Sequence, residues 1–340
     1  MNSYKKIIVL ILALDVCLIC AGITRSNHRT VGIEVDVEKT VAMADVDEEE
    51  KLVVPSGEPI GIYVKSEGVM IIGVGEIMGA DGHMHSPCSG LVSAGDYILS
   101  IEGQIIEDKA QLTSVVNSSK GHTIDITVQR KSENTLGSVY IETISVTPAL
   151  DEYGNYMLGL WVKDDISGIG TLTYYDEDSF GALGHSINDN DTGEVFEICD
   201  GAIYDAKLIN IVKSNTKLPG RLEGLIDYSS ENMIGRVEDN SCYGISGYIT
   251  DIGKNKLSYD DYIPIADRDE IKVGEAYLLS SVSGEPEYYT VELREIIYDT
   301  DEENKELKLK IKDPRLIELT SGIVQGMFMS YNGYNTRKTQ

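Results

Sequence analysis

Five histidines and an aspartate beside a proline are the groups of this chain best suited to proton chemistry. His185 stands in YYDEDSFGALGHSINDNDTG, between a strand-like run and a polar turn cluster. Gly181 and Gly184 let the backbone pack closely around an imidazole. Such a histidine can take a proton from a nucleophile and return it, or it can be purely structural. Asp313 lies in KIKDPRLIEL, at a strand end before Pro314. A carboxylate there caps the following turn or orients an imidazole. His83 and His85 make an H-x-H in the GADGHMHSP loop, but no third ligand is nearby, so no metal is expected. His122 opens a strand and is expected to be exposed. Cys17 and Cys20 lie in an apolar run, while Cys88, Cys199 and Cys242 are far apart and odd in number, so neither a disulfide framework nor a zinc spacing is present. Nothing suggests an organic cofactor.

The elements that must position these groups are strands. Of 340 residues, 42% are hydrophobic and 25% charged, an ordinary globular balance long enough for about two domains. The 20 tyrosines suit half-buried strands, and 33 glycines suit tight turns. The net charge of -27 repels phosphate backbones and argues against nucleic-acid binding.

Lys5 and Lys6 precede an apolar run at 7–23, so residues 1–27 are expected to be a signal-anchor with the remaining chain outside the cytoplasm, although Asp15 is costly in lipid. Residues 28–51 are an acidic linker. From 52 to 133 the pattern gives short strands and one helix. PIGIYVKSEGVMIIGVGEI reads as two strands about a Ser-Glu-Gly turn, and GLVSAGDYILSIEGQII as a strand and a Glu-Gly hairpin. In DKAQLTSVVNSSKG, Leu112, Val115 and Val116 share one helix face. From 134 to 327 many short strands at near-regular spacing imply a barrel or sandwich.

The element order around GLVSAGDYILSIEGQ resembles a PDZ domain over residues 52–133. That resemblance implies an extended peptide held as an added strand, its carboxylate at a loop including Ile60, Gly61 and Ile62. GIGTLTYYD, FGALGHSINDNDTG, IPIA and IKDPRLIELTSGIVQGM, with the upstream segment and the apolar N-terminus, resemble the SpoIVB peptidase family, the stage IV sporulation protein B serine peptidases. The resemblance implies a chymotrypsin-like barrel at 134–327, in a protein anchored or secreted into the forespore intermembrane space. There it would cleave a regulatory membrane protein and trigger sigma-factor activation. It places the general base at His185 and the orienting carboxylate at Asp313.

The family's nucleophile follows G-I-V-Q-G-M, in an oxyanion region that here includes Gly326 and Met327. This chain instead has Phe328 in the serine position, and residues 328–340 depart from the family pattern. A phenyl ring cannot attack a carbonyl. Ser330 is displaced by about 6–7 Å along an extended chain, and Ser186 adjoins His185 on the opposite face of a strand. The expectation is a truncated or frameshifted peptidase lacking its C-terminal strands, inactive as it stands. The alternatives are a non-catalytic PDZ peptide-binding protein or a non-functional product.

Overall fold

The computed structural model describes residues 51–132, 138–215, 220–297 and 307–322. Residues 1–27, the linker apart from Lys51, Gly326, Met327 and the segment from Phe328 onward lie outside the described residues. No helix among the described residues is long and apolar enough to cross a membrane. In chain order the main elements are β1 (Pro59–Val74), β2 (Tyr97–Ile101), α1 (Lys109–Ser118), β3 (Ile124–Lys131), β4 (Val139–Val146), β5 (Leu160–Tyr175), β6 (Ser179–Ala182), β7 (Asp200–Val212), β8 (Arg221–Ile226), β9 (Met233–Ser241), β10 (Gly244–Ile249), α2 (Asp251–Lys256), β11 (Gly274–Ser280), β12 (Glu287–Ile296), β13 (Leu307–Ile311) and α3 (Pro314–Thr320).

The architecture is mainly β, as the alternating apolar runs imply. Six strands close a ring in the order β1-β5-β6-β10-β9-β7 and back to β1, every pairing antiparallel. Closure leaves no free edge within the ring. Inward-facing Ile60, Ile62, Leu172, Phe180, Ile203 and Ile245 fill it. The barrel therefore draws β1 from the segment that precedes residue 134.

β1 is one strand where the sequence suggests two. Ser66-Glu67-Gly68 bends the chain without reversing it: the Ser66 hydroxyl donates to the Gly68 carbonyl at 2.9 Å, and Gly68 takes a φ of 76°. Before the bend β1 lines the barrel. After it, Val69 and Ile71 join a second core with Ile98, Leu112, Val116 and Ile126. β5 makes the same passage, pairing Leu160–Lys163 with Met70–Val74 and Asp165–Thr171 with Pro59–Lys65. The second core is roofed by α1, capped by Asp108, whose carboxylate accepts from the Gln111 amide at 2.7 Å. The expected hairpin turn is at Glu102–Gly103, both with positive φ, as a primed turn requires.

The stretch expected as a carboxylate-holding loop is strand interior. Gly61 faces Ile169 of β5 on one side and Tyr204 of β7 on the other, and Ile60 and Ile62 are likewise paired on both edges. With both edges occupied, no peptide can add as a strand at these three residues. Their apolar character serves barrel packing: Ile60 is 1% and Ile62 4% exposed.

β11, β12 and β13 form a separate antiparallel sheet with α3 on a third core around Tyr289, Val291 and Leu316. This described part is a three-stranded sheet and not a second closed barrel.

Candidate active site

β6 delivers His185 to the end of the barrel. After Ala182 the chain turns through Leu183, whose φ of 68° is left-handed, a conformation costing roughly 1–2 kcal/mol for an L-residue. Tertiary contacts hold it there. Its N–H donates to the Thr171 carbonyl at 3.0 Å, its carbonyl accepts from the Thr173 hydroxyl at 2.9 Å, and its side chain packs on the barrel core. Gly244 is required alongside, since a Cβ there would lie 2.3 Å from the Ala182 carbonyl oxygen. The turn leaves the His185 side chain exposed.

His185 Nδ1 lies 2.8 Å from the Ser186 carbonyl oxygen. A carbonyl only accepts, so the neutral ring carries its proton on Nδ1 and presents its lone pair at Nε2. No hydrogen bond or ion pair among the described residues engages Nε2. An exposed neutral imidazole with Nε2 open is the state from which a general base acts.

The loop that follows is pinned at two points. Asn240 of β9 accepts from the Ile187 amide at 2.8 Å and donates to the Ile187 and Phe196 carbonyls at 3.0 and 2.9 Å. Further on, fully buried Asp189 accepts from the Asp191 and Thr192 amides at 3.0 and 2.9 Å and from the Lys163 ammonium. Burial opposes ionisation of Asp189, but Lys163 and these amides outweigh it and hold the carboxyl below its ordinary value. Sequence reasoning singled out His185 and not the residues that hold its loop, Lys163, Asp189 and Asn240. The NDNDTG turn cluster was their only visible signal, because one lysine on a strand carries no pattern.

Asp313 is elsewhere. Its Oδ1 accepts from the Arg315 and Leu316 amides at 2.9 and 3.4 Å, which makes it the N-cap of α3. Burial works against its ionisation, but those amides and the Arg315 guanidinium keep its carboxyl below the ordinary value. No hydrogen bond or ion pair joins Asp313 to His185; the Ser186 carbonyl occupies Nδ1 instead. The orienting contact expected of Asp313 is thus not made, because its carboxylate serves the helix start.

Other candidates are unsuited to attack. The Ser186 hydroxyl donates to Asn188 Oδ1 at 2.6 Å. Cys88 is wholly buried, and burial pushes its thiol up to about 12. In the H-x-H loop, His85 Nε2 lies 2.9 Å from Asp81 Oδ1. Among the described residues no group of three or more His, Cys, Asp or Glu is placed to hold a metal ion. Phe328 and the oxyanion region at Gly326 and Met327 lie outside the described residues.

Residues 154–331, more than half of the chain, match the profile of a protein family described as SpoIVB peptidase S55. No curated protein matches the chain.

Proposed function

The chain belongs to the SpoIVB peptidase family, and from that premise we propose that it is a sporulation signalling serine peptidase whose base is retained and whose nucleophile is replaced. The observation that carries this reading is His185, held at the end of a closed barrel with its Nε2 unengaged among the described residues. In an intact family member a serine after G-I-V-Q-G-M would attack the scissile carbonyl, and His185 would accept the serine proton and pass it to the leaving amine. The substrate would be a regulatory membrane protein met on the non-cytoplasmic side of the membrane.

Phe328 stands in the serine position of this chain. Its side chain holds no lone pair to donate, so the acylation step has no starting atom. The chain therefore hydrolyses no peptide bond at this site. The test is turnover of denatured protein substrates by the purified full chain, beside the variant His185→Ala. No turnover in either supports the reading. Turnover lost on His185→Ala contradicts it.

A further inference from the structure

We propose that Lys163 is a positioning residue for His185, acting through the buried carboxylate of Asp189. This rests on the reading of His185 as the proton acceptor.

Lys163 sits on β5 where that strand pairs with Met70 of β1, beyond the barrel. Leu160 and Val162, just before it, pack against the second core. Its neighbour Asp164 accepts from the Lys109 amide at the start of α1 at 2.9 Å and pairs with the Lys109 ammonium at 2.5 Å. β5 thus grips α1 through Asp164, while Lys163 contacts Asp189 and Asp191 in the loop after His185.

Lys163 meets Asp189, which is wholly buried, and Asp191 at 2.9 Å. Asp189 in turn organises the turn through the amides of Asp191 and Thr192 and the Thr192 hydroxyl. One residue before it, Asn188 pairs with Val195 and accepts from the Ser186 hydroxyl. Ser186 supplies the carbonyl that fixes the His185 ring. The path from Lys163 to the imidazole thus runs from the Asp189 pair through the peptide link to Asn188, its hydrogen bond with Ser186 and the Ser186 carbonyl, within the five residues from His185 to Asp189. Removing the ammonium leaves a buried carboxylate without its counter-charge, and such a carboxylate must protonate or seek water. Either response loosens the turn.

The experiment uses the full chain in three forms, unmodified, Lys163→Met and Lys163→Arg, with Lys308→Met as a control for an exposed pair in the β12–β13 sheet. Amide hydrogen exchange is read across 185–196, and the imidazole 15N shifts of His185 report which nitrogen holds the proton. The expected result for Lys163→Met is at least a tenfold rise in exchange at Asp191, Thr192 and Phe196, no change in the β11–β13 sheet, and loss of the single Nδ1–H form. Lys163→Arg restores both readouts in large part, and Lys308→Met changes neither. Unchanged exchange in the loop overturns the proposal. So does an equal rise throughout the barrel, or a loosened loop with unaltered His185 signals. Failure of the functional reading shows separately, as any turnover by the full chain in the assay above, and leaves the exchange result standing.

Discussion

At His185 the ring is oriented by a backbone carbonyl, and the carboxylate that the family resemblance pairs with it caps a helix instead. The two uses of Asp313 respond differently to substitution. As an N-cap, Asp313→Ala costs about 1 kcal/mol, while Asp313→Asn costs a few tenths at most, because asparagine caps equally well. Urea denaturation of the two variants measures this, and equal losses would contradict the capping role. Asp189 gives a pH signature. Its carboxyl lies below the ordinary 3.8 in the folded chain, with Lys163 and Asp191 as the charged groups facing it. A depressed folded value means its stabilisation is complete above the unfolded value and is lost as pH falls through the folded one. Protection of the 188–196 amides, taken relative to the intrinsic exchange rate at each pH, should therefore stay flat above about pH 5 and fall only in stronger acid. A loss of protection centred on neutral pH would contradict this account.

At the element scale, β1 serves two cores, as does β5 beside it. Gly61 lies where a Cβ would sit 2.2 Å from a methyl of Ile226 on β8. Overpacking of this kind costs roughly 1–3 kcal/mol. Gly61→Ala should thus lower the thermal midpoint of the whole chain, measured by circular dichroism; an unchanged midpoint would mean that β8 does not close over β1. How much of this was legible varies by element. The α1 face showed in Leu112 and Val116 because helical period and burial coincide there. The Glu102–Gly103 turn showed because its residue types match its dihedrals. β1 was misread because Ser-Glu-Gly is chemically a good turn, and only pairing with β5 on the far side keeps the strand running. α3 was hidden in an apolar run too short to display a period; its Asp-Pro start was the one sign.

For the whole molecule, the family match begins at residue 154, yet the ring of strands closes only through β1 at Pro59–Val74. Five strands of the ring cannot bury the Ile60 and Ile62 positions or satisfy the facing edges of β5 and β7. A chain of residues 154–322 should consequently show no cooperative thermal transition, whereas residues 51–322 should show one; cooperative unfolding of the shorter piece would refute the shared-strand architecture. The central proposal is that His185 is a retained base and that Phe328 replaces the nucleophile. It is tested most directly by labelling the purified full chain with a fluorophosphonate, which reacts covalently with activated serines. The account predicts no labelling above that of His185→Ala. Stoichiometric labelling of the full chain, abolished by His185→Ala, would contradict it and show that another serine serves His185.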